Sequence, residues 1–173
     1  DDLLDVLADR TDPHAFPLAT DVVDEVLVYD AAHLLDAPAD EAAAELVRAF
    51  ADGPGVVVVR GAYPDPAVVD RATAAFDEMI AEQRASGAVA GDHFAKPGAN
   101  DRVWNALEKL AVRAPETFVD YYANPVLALV STAWLGPGYQ VTSQVNVVNP
   151  GGTAQVGHRD YHLGFLSPAQ IER

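Results

Sequence analysis

The apolar positions of this chain fall into helical stripes over its first two thirds and alternate with polar ones after that. From Pro38, Ala42, Ala43 and Ala44 favour a helix, with Leu46, Val47 and Phe50 as its apolar face. Asp40 is its expected cap and Gly53 its stop. The block Gly55-Val56-Val57-Val58-Val59, between Gly53-Pro54 and Gly61, predicts a short strand buried on both faces. Asp65-Pro66 opens the best-marked helix, with Asp65 at the N-cap and Pro66 at the first helical position. Val68, Val69, Ala72, Phe76, Met79 and Ile80 recur there at helical spacing, and Gly87 ends it. After a polar loop over 91–100, Val103, Trp104, Leu107, Leu110 and Ala111 predict a second amphipathic helix. Pro115 and Asn124-Pro125 start two further helices, the latter ending at Gly136. All these stripes are read as core packing.

Residues 1–37 are acidic, weakly periodic and interrupted by Pro13 and Pro17. They are expected to form an N-terminal arm with a short strand over 26–29, and residues 38–173 to form part of a single domain. At Tyr139 the period changes to two. Tyr139, Val141, Ser143, Val145 and Val147 share one face of a predicted strand over 139–148, and Gln140, Thr142, Gln144 and Asn146 share the other. So polar a face suits either a strand lining a polar cavity or an exposed sheet edge. Asn149-Pro150-Gly151-Gly152 is a strong turn. A strand over 153–157 is expected to follow and to run into His158-Arg159-Asp160-Tyr161-His162. Helices first and antiparallel strands after is an α+β order.

Composition narrows the function. The 173 residues carry a formal net charge of −15, which leaves no basic patch for a phosphate backbone and argues against nucleic acid as partner. No apolar stretch is long enough to cross a membrane, and Asp1-Asp2-Leu3-Leu4-Asp5 lacks the basic start of a secretory leader, so a cytoplasmic protein is expected. The absence of cysteine removes disulfides, thiolate nucleophiles and thiolate-held metals. Any metal must be held by His and carboxylates.

One constellation answers that requirement. His158 and Asp160 are two positions apart, so in an extended segment both side chains leave the same face, with Cα atoms roughly 6.6 Å apart. Together they supply two thirds of a 2-His-1-carboxylate triad, which leaves positions on Fe(II) open for a chelating cosubstrate and O2. His162 lies roughly 13 Å from His158 if the strand continues, too far to complete the set without a sharp turn.

Residues 143–166 contain the Pro-Gly-Gly turn, Gln155 three positions before His158, the His158-x-Asp160 pair and the following His162-Leu163-Gly164-Phe165. On these features the segment resembles the metal-binding region of the phytanoyl-CoA dioxygenase family, Fe(II)- and 2-oxoglutarate-dependent oxygenases built on a double-stranded β-helix. The resemblance implies an α+β fold in which N-terminal helices and strands support a jelly-roll or cupin-like barrel. It implies His158 and Asp160 as iron ligands. Gln155 and Asn146 would contact 2-oxoglutarate, while Gln144, Tyr161 and His162 would border the substrate. Tyr161 and His162 could equally pack beneath the pocket. Lys96 is a further carboxylate partner or a solvated surface charge, and His93 reads as a loop histidine. The cofactors implied are Fe(II), 2-oxoglutarate and O2. The implied reaction is hydroxylation of a small metabolite or natural-product intermediate with decarboxylation of 2-oxoglutarate to succinate. Asp160 in the ligand set favours hydroxylation over halogenation.

The family's second iron-binding His and its 2-oxoglutarate-binding Arg lie well beyond the first ligand pair. Here no His follows His162, and Arg173 is the only Arg after Asp160. The expectation is therefore a domain truncated before its barrel, which needs about eight strands, is complete, and inactive by itself. The rival readings are a non-catalytic cupin-like binding module and a His/Asp metal hydrolase. No Gly-x-Ser-x-Gly elbow and no phosphate-cradling loop occurs. Substrate identity and oligomeric state are not encoded in any motif.

Overall fold

The computed structural model describes residues 4, 8–87 and 98–152. Its first sheet has three strands, β1 (Asp21–Val23), β2 (Val26–Asp30) and β3 (Val57–Arg60), in the order β1-β2-β3. β1 and β2 are antiparallel, with Val22 opposite Leu27, and are joined by Asp24 and Glu25, both at positive φ. Two consecutive left-handed residues close a tight hairpin whose twist matches that of its strands. Thr11 steadies the turn, donating its N–H to Glu25 Oε2 and its hydroxyl to the Glu25 carbonyl, both at 2.7 Å. β2 and β3 are parallel, Leu27 opposite Val57 and Asp30 opposite Arg60. Parallel neighbours need a crossover, and α1 (Ala31–Asp36) and α2 (Ala39–Ala51) provide it. The strand expected over 26–29 is thus found as β2, between β1 and β3.

Among the described residues two apolar clusters form the core. The first joins Phe16, Leu27, Tyr29, Leu34, Ala42 and Ala49 between the sheet and α2. Buried Glu45 lies beside it, 1% exposed, and accepts the Leu18 N–H at 3.0 and 3.2 Å. Burial, and then the Glu45 charge, push the Tyr29 hydroxyl far above the ordinary tyrosine pKa, so it stays protonated. The second cluster joins Ala75, Met79 and Ile80 of α3 (Ala67–Ala85) to Val103, Ala106 and Leu110. Val103 ends β4 (Asn100–Val103), and the other two lie on α4 (Ala106–Arg113). Phe118 and Tyr122 of α5 (Pro115–Tyr122) pack against it.

α6 (Pro125–Leu135) packs on α2, with the Phe50 and Trp134 rings 5.5 Å apart. It carries no charged residue, and only Val126 is buried along it. Its start is fixed by Asn124, whose Oδ1 accepts the N–H groups of Val126 and Leu127 at 2.9 and 3.1 Å. The Asn124 Nδ2 donates to the Ala62 carbonyl at 2.6 Å. Asn124→Ala removes a helix cap and leaves a carbonyl without its donor, an expected loss of about 2 kcal/mol. Asn124→Asp keeps the cap and should lose less; denaturant midpoints of the two variants check this.

Four sequence expectations need correction. Asp40 does not cap α2: Pro38 is the extended residue at its start, and Asp40 sits in the first turn, where its charge suits the helix dipole. β3 is not buried on both faces. Its burial alternates, with Val56 and Val58 nearly half exposed, because among the described residues it pairs with β2 alone and packs one face on the core. Val103 and Trp104 are not helical; Asn105, at φ 51°, turns the chain between β4 and α4. Val103 mimics a helical position because it and Leu110 enter one cluster from different elements. Finally, of residues 139–148 only β5 (Val145–Val148) pairs with another described residue, antiparallel to β4, which is itself four residues long.

The α+β content stands, and among the described residues there is no closed barrel. Among them, too, no helix is long and apolar enough to cross a membrane.

Candidate functional site

The β4–β5 ribbon precedes the His158-x-Asp160 segment in the sequence. Asn100 pairs with Val148, Asp101 with Val147, Arg102 with Asn146 and Val103 with Val145. Val145 and Val103 bury against α3 and α4, while Asn146 faces out. Asn146 Oδ1 accepts from Asn100 Nδ2 at 3.3 Å. Gln144 is exposed just before the strand. Its neighbour Ser143 is anchored twice: its carbonyl accepts the Ala106 N–H at 3.0 Å, and its hydroxyl lies 2.6 Å from that of Tyr122. The Arg102 guanidinium carbon lies 4.7 Å from the Trp104 ring centroid, a cation–π contact beside Asn146 on the facing strand.

After β5 the chain turns as expected, the Gly152 N–H returning to the Asn149 carbonyl at 2.8 Å. Gly151 is left-handed, at φ 83°. A Cβ on Gly152 would overlap the Ala99 carbonyl oxygen and reach 2.9 Å from the Asn149 carbonyl oxygen. The turn is therefore pressed against the residues that enter β4, and the second glycine of the motif is needed for that approach.

A polar node fastens the turn. Arg84, in the last turn of α3, forms a bidentate pair with Asp101 on β4, its Nε donating to Oδ1 at 2.9 Å and its Nη2 to Oδ2. Asn149 Nδ2 donates to Asp101 Oδ2 at 2.8 Å and to the Gly98 carbonyl at 3.2 Å, and its own N–H goes to Ala99 O at 3.0 Å. The Arg84 hydrogen bonds, opposed by partial burial and helped by Asn149, hold the Asp101 carboxyl below its ordinary range. A depressed folded pKa stabilises the fold above the unfolded value of about 3.9 and loses that contribution as pH falls through the folded value. Acid titration of stability should therefore show a limb below pH about 4 that weakens in Asp101→Asn.

Asn146 and Gln144 are the sequence-predicted site residues within the described region. His158, Asp160, Gln155, Tyr161, His162, Lys96 and His93 lie outside it, as does the expected strand over 153–157. Among the described residues no group of three or more His, Asp or Glu is arranged to hold a metal. Burial, then the neighbouring Tyr121, push the Tyr63 pKa up to about 12, and its hydroxyl donates to the Tyr121 carbonyl at 2.9 Å. An open groove between α3 and α4 is lined in part by Glu82, Glu108, Lys109 and Arg113. Its Glu82 carboxylate is taken by the Arg113 guanidinium at 2.8 and 2.9 Å.

The sequence reading missed Arg84, Asp101 and Asn149 as a unit. Arg84 and Asp101 are 17 residues apart on different elements, and no motif in the sequence links them.

The donor chemistry of His158 and Asp160, one imidazole nitrogen and one carboxylate with no thiolate in the chain, fits ferrous ion. The family profile of phytanoyl-CoA dioxygenase (PhyH) matches residues 51–173, from the end of α2 through β4, β5 and the His158-x-Asp160 segment. No curated protein and no solved structure matches the chain. The match covers well over half of the 173 residues, and the chain belongs to the phytanoyl-CoA dioxygenase family of Fe(II)- and 2-oxoglutarate-dependent oxygenases.

Proposed function

We propose that this chain forms part of a cytoplasmic non-haem iron oxygenase that hydroxylates a small metabolite or natural-product intermediate, converting 2-oxoglutarate to succinate. The observation that carries the reading is the family match, which spans the His158-x-Asp160 pair. His158 and Asp160 would hold Fe(II) from one side, and Asp160 would offset part of its charge. Bound iron with 2-oxoglutarate supplies the O2-dependent oxidation of a C–H bond. Gln155 and Asn146 would hydrogen-bond the cosubstrate, with Lys96 as a further carboxylate partner, and Gln144, Tyr161 and His162 would border the substrate. Asn146 is exposed on β5, which supports a role facing a ligand rather than the core. The β4–β5 ribbon and the turn after it would open a double-stranded β-helix.

The net charge of −15 disfavours polyanionic substrates. Two protein ligands hold ferrous ion weakly, so residues 1–173 alone are expected to form little succinate. The test is succinate release from 2-oxoglutarate, with Fe(II) and O2, by the protein that contains these residues. Iron-dependent succinate, lost when iron is chelated, supports the reading. Neither iron nor 2-oxoglutarate binding would instead indicate a cupin-like binding module.

A further inference from the structure

Asn146 leaves the β4–β5 ribbon on the face opposite to Val103 and Val145, which pack into the second cluster. Asn100 and Arg102 share that outer face across the ladder, Arg102 directly opposite Asn146 and Asn100 one diagonal step away. A side-chain amide has two unlike ends, one accepting and one donating, so a ligand meets whichever end is turned outward. The facing strand makes that choice. Asn100 Nδ2 donates to Asn146 Oδ1 at 3.3 Å. Arg102 carries donors alone, so it too favours the carbonyl end of Asn146 on the ribbon side. The other end, Asn146 Nδ2, has no hydrogen-bond partner among the described residues, and the residue is exposed.

We propose that Asn100 is a positioning residue for the cosubstrate: by holding Asn146 Oδ1 it makes Nδ2 the end offered to a carboxylate oxygen of 2-oxoglutarate. The proposal rests on the assignment of Asn146 to that cosubstrate. Asn100 does not touch the ligand; it decides which atom of Asn146 does. An N–H donor suits an anionic acceptor, whereas the reversed amide would set its own oxygen against the carboxylate.

Two substitutions vary the orientation in different ways. In Asn100→Ala nothing selects a direction for the amide, so the donor faces out about half of the time and 2-oxoglutarate affinity should fall about twofold. Asn100→Asp offers only acceptors and takes Asn146 Nδ2 for itself; with the reversed amide favoured by one hydrogen bond, affinity should fall about tenfold. Asn146→Ala, which loses a hydrogen bond to an anion, should also fall by about tenfold or more. Affinity is read by anaerobic titration of the Fe(II)-loaded protein with 2-oxoglutarate, and folding by thermal melts. Both Asn100 substitutions are made in the parent and in Asn146→Ala. In the second background the amide they orient is gone, so the expected losses disappear, apart from the repulsion due to the Asp charge, which salt screens. In turnover, Asn100→Ala should raise the KM for 2-oxoglutarate with kcat unchanged. If the Asn100 substitutions cost the same in both backgrounds, or nothing in the parent, Asn100 does not act through Asn146 and the inference is overturned while the reading of the site stands. If Asn146→Ala binds 2-oxoglutarate like the parent, the Asn146 assignment fails and the inference with it. A parent that binds no 2-oxoglutarate overturns the proposed function itself.

Discussion

Replacing His158 or Asp160 by alanine is expected to abolish iron-dependent succinate formation, a larger loss than the roughly 10–100-fold that changes outside the ligand set cause. Each substitution would remove one of the two proposed donors. His162 is too distant in an extended segment, and the chain has no cysteine to substitute. The two variants should differ in kind. Without the imbalance of an absent carboxylate, His158→Ala leaves a charge-compensated but loosely held ion. Asp160→Ala removes a negative charge from the ion and opens a coordination position, so added halide or formate should restore some metal binding to it and none to His158→Ala. Succinate yield and metal content, measured on both variants with and without formate, check the distinction. Equal activity in parent and variants would remove these residues from the site.

Leu110→Ala should cause the largest loss of stability that a single truncation in the second cluster produces, about 2–5 kcal/mol. Leu110 is fully buried on α4 among Ala75, Met79, Ile80, Val103 and Ala106, with Val145 packed against the same cluster. The cavity would open where the ribbon rests on its helices, since Val103 and Val145 are its paired end residues. The site should therefore suffer along with the fold, which surface truncation would not cause. Val112 on the same helix is 86% exposed, and Val112→Ala should change stability by less than about 0.5 kcal/mol. Denaturant midpoints of the pair measure the contrast. A Leu110→Ala midpoint close to that of Val112→Ala would contradict the packing described.

Local signals were legible where local chemistry decides the structure. Asp65-Pro66, Pro115, Asn124-Pro125 and the glycines at 87 and 136 marked helix ends that are found within a residue or two, because caps and stops act over one turn. The turn at Asn149 was legible for the same reason. Pairing was not. Val57 and Val59 have the same apolar character whether one face or both are covered, and only the sheet order makes β3 an edge among the described residues. Period-two alternation over 139–148 could not reveal that β4 offers partners to just four of those residues. Trp104 looked helical beside Val103, and Asn105, of the residue type that after glycine most readily turns left-handed, was the signal that the stripe breaks there. The His158-x-Asp160 motif after a Pro-Gly-Gly turn was visible in the sequence, and its residues lie outside the described ones. The node that holds the turn was not visible there, since it is assembled from three elements by the fold.

The account depends most on iron being gripped by His158 and Asp160 in the protein that contains this segment. Anaerobic titration with Fe(II) followed by 2-oxoglutarate measures this directly, read by visible charge-transfer absorption. Saturable iron binding, with a colour that develops only when 2-oxoglutarate is added and is lost in His158→Ala, is the predicted result. A parent protein that takes up no iron, or develops the same colour after both ligands are removed, would contradict it.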